Sequence, residues 1–456
     1  MEATLKENKM GTMKIPKLLF SISVPIIISM LVQALYNIVD SIFVARFDPD
    51  AGTGALTLAF PIQMLMIALA TGFGVGMNAL LSRALGQKNK ERADLVAGQG
   101  FFLTLSAYLL FLIFGLFIVK PFVAMQAEEG SLLYQYSVDY LSVTSVFSIG
   151  VFVQVTAERL LQATGKSVYS MATQLSGAIT NIILDPILIF GLLGAPEMGV
   201  TGAAIATVIG QAVSAIVGIV LNITLNKEIT LKIKNILPKV KLLSEMLAIG
   251  IPSVLMQAIG SVMTFSMNNI LLKFSGAALN VFGIYFKLQS FIFMPVFGLN
   301  NGMIPIIAYN YGAEKKERIY ATMKLAAIAA ISYMLLGFAV FQLLPETLLG
   351  LFNASAEMIS VGVPALRIIS ISFMMAGFSI VSISTCQALG KSIYSLIVSV
   401  ARQLVVLIPS AYLLSLSGKV GLVWLAFPIS ELVGCTCCII FVRIVLKSTL
   451  EKKTKA

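Results

Sequence analysis

The length of its apolar runs is the feature that most constrains what this chain can fold into. Twelve runs are each long enough to cross the hydrocarbon core of a bilayer as a helix, which takes roughly 20 residues. The chain has 58% hydrophobic and 12% charged residues, whereas about 25% of the residues of a soluble globular protein are charged. The sequence therefore predicts an all-α membrane protein embedded in a lipid bilayer. The twelve predicted transmembrane helices cover approximately residues 18–44, 55–83, 97–123, 132–157, 167–193, 200–225, 245–272, 280–311, 321–345, 358–386, 393–416 and 421–445.

The distribution of Lys and Arg predicts the orientation of these helices, because cytoplasmic loops are enriched in both residues. With both termini in the cytoplasm, 25 of the 32 Lys and Arg residues fall in cytoplasmic tails and connections, and four fall outside. We therefore expect a multi-pass protein of the cell membrane with cytoplasmic termini. The net charge of +11 is explained by this orientation, so no nucleic-acid partner is expected.

The cysteine and histidine content limits the chemistry that is open to the chain. Its four cysteines all lie in or near the last part of predicted helices, and it contains no histidine. Neither a disulfide framework nor a thiolate metal site is expected from this pattern, and no cofactor is expected. Without imidazole, proton chemistry near neutral pH must use carboxylates whose surroundings alter their affinity for protons.

Segments of the first half recur in the second half about 226 residues later. The register between the halves drifts by only single residues across the whole chain, which chance similarity between apolar segments would not maintain. Pro25 aligns with Pro252, and the glycines of two GxxxG-containing segments also align. The matched segments are residues 23–33 with 250–260, 72–93 with 298–319, and 161–170 with 385–395.

The repeat divides the chain into two lobes of six helices. Residues 1–226 are predicted to form the first lobe and residues 245–456 the second, joined by a basic cytoplasmic linker at 227–244. Because each lobe has an even number of helices, both enter the membrane in the same direction. Duplicated membrane bundles of this kind are most often transporters.

Two carboxylates lie at bilayer depth in the first lobe, Asp40 in the first predicted helix and Asp185 in the fifth. A charge at this depth costs about 2.5–3.5 kcal/mol on insertion scales, so it usually faces a cavity or a partner. Each is predicted to lie roughly 9–12 Å from the outer end of its helix, at 1.5 Å per residue. Thr207, in the sixth helix, lies at a similar depth. The sequence therefore predicts that all three side chains can meet.

Helical spacing extends both carboxylates into polar stripes. Asn181 precedes Asp185 by four residues, and Tyr36 and Gln33 precede Asp40 by four and seven, which places each set on one helix face. The interpretation is that both stripes line one cavity. The alternative is that Asp185 only bonds Asn181 and the backbone that Pro186 frees by removing a helical hydrogen bond.

The second lobe lacks this acidic pair. Through the repeat, Asp40 corresponds to Met267 and Asp185 to Ser410. The predicted chemistry is therefore asymmetric between the lobes.

The second lobe has intramembrane charges of its own at Lys287, Arg367, Arg402 and Glu431. Arg402 and Glu431 lie in the last two helices, where a structural salt bridge and a substrate role both remain open. In the first lobe, Glu158 borders the cytoplasm, and its charge is interpreted as solvated at the membrane interface.

Over essentially its full length the chain resembles the multidrug and toxic compound extrusion (MATE) family. The resemblance rests on the paired glycine segments at 72–86 and 298–312, and on NIILDPILIFG followed by GVTGAAIAT. It implies export of amphiphilic, often cationic compounds, driven by inward flow of H⁺ or Na⁺. It also implies a transporter and not an enzyme, which we expect to act as a monomer.

Within the family, the acidic pair resembles the DinF-like branch. That resemblance implies a site that couples transport to a proton or binds Na⁺, made by Asp40, Asn181, Asp185 and Thr207. The NorM-like branch carries acidic residues in helices 7 and 10, where this chain has Gln257 and Arg367.

The substrate cavity and the hinges complete the predicted machinery. Pro25 and Pro186 are the predicted hinges, because proline weakens a helix; we expect neutralisation of the acidic pair to bend the first helix near Pro25. The side chains expected to line the substrate cavity are Gln33, Tyr36, Asn37, Tyr140, Gln257, Lys287 and Arg402.

Two other functions remain open. A flippase for lipids or lipid-linked oligosaccharides, from the wider superfamily, has the same lobed design, and Lys287, Arg367 and Arg402 would suit an anionic headgroup. A membrane-embedded enzyme would have to use Asp40 and Asp185 as an aspartyl dyad.

Overall fold

The structure is a computed structural model that describes residues 8–451. Every regular element among these residues is helical. Residues 1–7 and 452–456 lie outside the described residues. They are the extreme ends of the two predicted lobes, so the prediction of cytoplasmic termini also falls on residues that are not described.

Twelve membrane spans account for most of the described residues. Ten are single helices, and two are helix pairs bent by 46° and 47°. The bent pairs are the fourth and tenth spans, so they occupy equivalent places in the two halves. This confirms the predicted fold of two six-helix lobes related by an internal repeat. The spans are α1 (Ile15–Phe47), α2 (Ala51–Gly86), α3 (Lys90–Ala124), α4 (Leu132–Val146 with Ile149–Ala163), α5 (Ser167–Phe190), α6 (Gly199–Thr224), α7 (Val240–Leu272), α8 (Gly276–Gly312), α9 (Lys316–Leu343), α10 (Ala356–Ser370 with Phe373–Ala388), α11 (Ser392–Ser415) and α12 (Val420–Leu450).

Polar N-caps mark where several of these helices begin. The Ser131 hydroxyl accepts a hydrogen bond from the Tyr134 backbone N–H at the start of α4. Ser355 does the same for Met358 at the start of α10. Such side-chain caps satisfy backbone donors that have no partner within the helix. The two halves therefore share a helix N-cap at equivalent places as well as a hydrophobic pattern.

The described chain separates into two compact units, and the boundaries between them fall within two of the helices. The first unit contains Asn8 and Ile28–Gly250, and the second contains Lys9–Ile27 and the chain from Ile251 onward. The starts of α1 and α7 thus belong to a different unit from the rest of these helices.

The repeated glycines explain how these helix starts are packed. A Cβ on Gly76 of α2 would lie 2.4 Å from the Met246 carbonyl oxygen of α7, inside the first unit. A Cβ on Gly302 of α8 would lie 2.4 Å from the Ser23 hydroxyl of α1, inside the second unit. Because these two glycines are equivalent in the repeat, a close approach between a glycine and a helix start occurs once in each unit.

Hydrogen bonds anchor the segment before α1 in the second unit. Arg318 donates to the carbonyl oxygens of Met10 and Met13 at 3.0 and 2.7 Å. Asn310 also donates to the Met10 carbonyl, at 3.0 Å.

The segment before α7 is anchored in the first unit in a comparable way. The Gln99 amide of α3 donates to the carbonyl oxygens of Asn235 and Leu237 at 2.7 and 2.8 Å. In the first turns of α7 itself, Glu245 pairs with Arg92, the repeat equivalent of Arg318, at 2.5 Å.

The packing predicts that Gly76→Ala destabilises the protein. The added methyl group would displace the backbone of α7, at a cost of about 1–3 kcal/mol for overpacking. Thermal unfolding of the purified protein in detergent, followed by fluorescence-detected size exclusion, measures the effect. The matched control is Gly283→Ala on α8, where nothing lies within 4 Å of an added Cβ. Equal melting temperatures for the two variants would contradict the assigned contact.

Candidate functional site

Three of the four predicted cation-site residues are joined directly by hydrogen bonds in the first unit. The Asn181 amide nitrogen donates to Asp185 Oδ1 at 3.1 Å and contacts Thr207 Oγ1 at 3.4 Å. One asparagine therefore links the carboxylate of α5 to the hydroxyl of α6. Exposed fractions are 0% for Asp185, 2% for Asn181 and 9% for Thr207.

Asp40 of α1, which is 9% exposed, completes this set. Its carboxylate lies within range of like-charge interaction with Asp185. The phenol groups of Tyr36 and Tyr140 lie within electrostatic range of both carboxylates. Tyr140 is held in place by Gln63, whose amide donates to the phenol oxygen at 3.0 Å.

Three oxygens of this cluster have no hydrogen-bond partner among the described residues. They are Asp40 Oδ1, Asn181 Oδ1 and Asp185 Oδ2. A buried acceptor without a partner costs about 1–3 kcal/mol, and more when it is charged. Two carboxylates, an amide and a hydroxyl are oxygen ligands of the type that hard cations prefer, and a carboxylate also accepts a proton. The residues present therefore fit either Na⁺ or H⁺.

A small cavity of about 20 Å³ adjoins the cluster. A cavity of at least 10–15 Å³ holds one water molecule, so this one has room for a single water or a dehydrated cation. Its lining is largely polar and comes from four helices. Its polar lining residues include Tyr36, Gln154, Gln174, Asn181 and Thr207.

Two glycines bring α5 and α6 together beside the cavity. A Cβ on Gly177 would lie 2.6 Å from the Gly210 carbonyl oxygen, and one on Gly210 would lie 2.8 Å from the Gly177 carbonyl oxygen. Small residues at a helix crossing allow such a close backbone approach. The crossing lies one turn from Asn181, so it sets the distance between Asn181 and Thr207.

The other predicted residues of α1 and α5 differ in their burial and in their contact with the cavity. Tyr36 lines the cavity, Gln33 is half-buried and Asn37 is exposed. Pro25 and Pro186, the predicted hinges, both lie inside continuous helices.

The predicted substrate residues of the second lobe all lie in the second unit. Gln257 and Lys287 are exposed, and the Lys287 ammonium lies 5.8 Å from the centre of the Phe352 ring. Arg402 Nη1 lies 2.5 Å from Glu431 Oε1. The charge of Arg402 is therefore balanced within its own unit.

Sequence reasoning did not identify Gln63, Gln154 or Gln174. Gln174 could have been predicted to lie near the site, because it precedes Asn181 by seven residues and therefore shares its helix face. Gln63 and Gln154 lie on α2 and α4, and only the packing of these helices brings them to the site.

A twelve-span helical bundle that is duplicated within one chain and buries a carboxylate pair beside a cavity has the design of a membrane transporter. The family model MatE matches residues 25–187 and, a second time, residues 252–413. The chain belongs to the MatE family, the multidrug and toxic compound extrusion transporters.

Similar proteins extend over nearly the whole chain. The multidrug export protein MepA of Staphylococcus haemolyticus (strain JCSC1435) is 27% identical over 439 residues, which are 96% of this chain and 94% of that protein. A solved structure of an outward-facing multidrug resistance MATE family transporter is 26% identical, covers 99% of this chain and 100% of its own, and has a TM-score of 0.90. A structure of MATE in a bent conformation is 25% identical, with the same coverage and a TM-score of 0.91.

The unpartnered oxygens predict that Asp185→Asn stabilises the protein in alkaline buffer without Na⁺. The substitution removes a buried charge that repels Asp40, which corresponds to about 1–3 kcal/mol and raises the melting temperature. The control is Asp139→Asn, which removes an exposed carboxylate of α4 and leaves the melting temperature unchanged. A lower melting temperature for Asp185→Asn alone would show that this carboxylate is compensated in the fold.

Proposed function

We propose that this protein is a secondary active antiporter that exports amphiphilic, often cationic compounds in exchange for H⁺ or Na⁺. The observation that carries the proposal is the buried pair Asp40 and Asp185, which interact electrostatically and each leave one oxygen without a hydrogen-bond partner among the described residues. The MepA relatives, which are multidrug export proteins, support the same function. The likeness to the acidic pair of the DinF-like branch supports placing the chain in that branch.

Coupling follows from competition for the same two charges. Two carboxylates in an apolar interior require compensation, because burial disfavours their charged forms. A proton or Na⁺ at Asp40, Asn181, Asp185 and Thr207 supplies it, and so does a cationic substrate held nearby. Since both ligands use the same pair, binding of the coupling cation promotes release of the substrate.

We infer that compensation of the pair is transmitted to α1. Asp40 lies on this helix, and Pro25 lies two residues before the point where α1 passes from the second unit to the first. A proline removes a helical hydrogen bond and makes bending easier at that position. Neutralising Asp40 therefore favours a bent α1 and expulsion of the substrate.

The proposed setting is the cell membrane, with the protein acting as a monomer. Both termini and the linker at 227–244 are placed in the cytoplasm, which the distribution of Lys and Arg supports. Tyr36, Tyr140, Gln33 and Asn37 are the proposed substrate contacts in the first unit. Gln257, Lys287 and Arg402 are the proposed contacts in the second unit, and the ion pair with Glu431 makes Arg402 the weakest of these.

A second candidate is the export of an anionic lipid headgroup. The exposed cations Lys287 and Arg367 of the second unit favour it. Movement of a fluorescent anionic lipid between leaflets, in vesicles that show no dye transport, would support this candidate over the antiporter.

Transport assays in proteoliposomes test the antiporter. We expect efflux of a cationic dye when a pH gradient or a Na⁺ gradient is imposed, and the gradient that drives efflux identifies the coupling cation. Asp40→Asn should abolish the response to that gradient, because the pair then loses one of the two charges for which the cation and the substrate compete. Asp139→Asn serves as the matched control and should transport normally. Full gradient-driven transport by Asp40→Asn would refute the proposed site.

A further inference from the structure

A path of polar side chains leads away from the carboxylate pair inside the first unit. On α4, Gln154, Glu158 and Gln162 recur every four residues and share one helix face. On α5, Ser170, Gln174, Asn181 and Asp185 form the facing stripe, with all four side chains buried.

Hydrogen bonds join the two stripes across the helix interface. The Gln154 amide donates both to Gln174 Oε1 at 2.8 Å and to Glu158 Oε1 at 3.1 Å. One step further along, Gln162 donates to the Ser170 hydroxyl at 3.0 Å. Polar side chains are therefore present along this interface from Gln174 to Gln162, near the end of α4.

The cavity connects this path to Asn181, which donates a hydrogen bond to Asp185. Gln154 and Gln174 line it together with Asn181 and Thr207. The Tyr36 phenol lies within electrostatic range of Glu158 as well as of Asp40 and Asp185. Glu158 is thus a third carboxylate that shares an electrostatic environment with the pair.

In the opposite direction along α1 and α5, aromatic rings follow the pair. The rings of Phe43 and Phe190 have centroids 6.3 Å apart, and those of Phe47 and Phe190 are 6.4 Å apart. These rings lie three to seven residues beyond Asp40 and Asp185, at the helix ends predicted to be outside. The polar route described above runs from the pair toward the opposite ends of these helices, which are predicted to be inside.

The positions along the helices give the route a direction and a length. Gln174 precedes Asp185 by eleven residues, or roughly 16 Å along α5 at 1.5 Å per residue. Glu158 is half-buried and lies five residues before the end of α4, on the side predicted to be cytoplasmic. Its neighbour Arg159 donates to Gln162 Oε1 at 3.1 Å and packs on Gly74 of α2, so a positive charge lies beside the carboxylate.

We propose that Glu158 is an inner station for the coupling cation. A cation that leaves Asp40 and Asp185 crosses the cavity, passes the amides of Gln154 and Gln174, and is held by the Glu158 carboxylate before release to the cytoplasm. This inference rests on the proposed antiport function. It replaces the interpretation of Glu158 as a group that is only solvated at the membrane interface.

The physical basis is that each step offers the cation oxygen atoms. A carboxylate at the inner end attracts a cation out of the pair, and the amide oxygens lower the cost of moving charge through an apolar interior. Arg159 beside Glu158 weakens the hold on the cation, which allows release.

Glu158→Gln tests the station without changing side-chain size. Two readouts are needed: equilibrium binding of a cationic dye to purified protein, with its displacement by the coupling cation, and gradient-driven dye efflux from proteoliposomes. We expect unchanged dye binding and displacement, because the pair is intact, and efflux slowed by about tenfold or more, a loss typical of removing a proton-transfer group. Gln154→Leu, which breaks the path at a neutral residue, should slow efflux in the same way.

The control is Glu129→Gln, an exposed carboxylate of the loop between α3 and α4, which should match the unmodified protein in both readouts. Efflux at the unmodified rate by Glu158→Gln would overturn the inference, and so would loss of cation displacement, since Glu158 would then belong to the primary site. Asp40→Asn distinguishes failure of this inference from failure of the antiport proposal. Normal gradient-driven efflux in that variant would show that the carboxylate pair does not couple transport, whatever the result for Glu158→Gln.

Discussion

The rest of this structure depends on two carboxylates that share one buried site without enough hydrogen-bond partners. Asp40 and Asp185 interact unfavourably with each other, and each leaves one oxygen unsatisfied among the described residues. Such a site costs stability unless a cation compensates it. In a transporter this cost is useful, because it makes the occupied and empty states differ in free energy, which is what allows one ligand to influence another.

The internal repeat supplies the scaffold, and departures from the repeat supply the chemistry. Equivalent glycines, Gly76 and Gly302, receive the starts of α7 and α1 in the two units, so the packing is duplicated. The acidic pair is not duplicated, and the second unit instead balances Arg402 with Glu431 at 2.5 Å. A carboxylate that is already paired with an arginine is stabilised little by binding a cation. A buried carboxylate without such a partner is stabilised strongly. This contrast explains why coupling is assigned to the first unit alone.

Much of this arrangement could be predicted from the sequence, because helix length, the repeat and the depth of Asp40 and Asp185 are all properties of position along the chain. The bond from Asn181 to Asp185 was also predictable, since residues four apart on a helix lie side by side. The interchange of helix starts between units was not predictable, because it is decided by which backbone packs against Gly76 and Gly302. For the same reason Gln154 was not identified and Glu158 was interpreted only as a solvated interfacial charge, since their relation to α5 exists only once the helices are packed.

The central claim is that the coupling cation and the exported compound compete for one carboxylate pair. Equilibrium binding of a cationic dye to the purified protein, followed by fluorescence polarisation at rising concentrations of Na⁺ and of H⁺ in separate titrations, tests it most directly. Competition predicts that the apparent Kd of the dye rises linearly with the concentration of the coupling cation, while the number of dye sites stays unchanged. An apparent Kd that stays constant, under conditions where the same cation raises the melting temperature of the protein, would contradict the account.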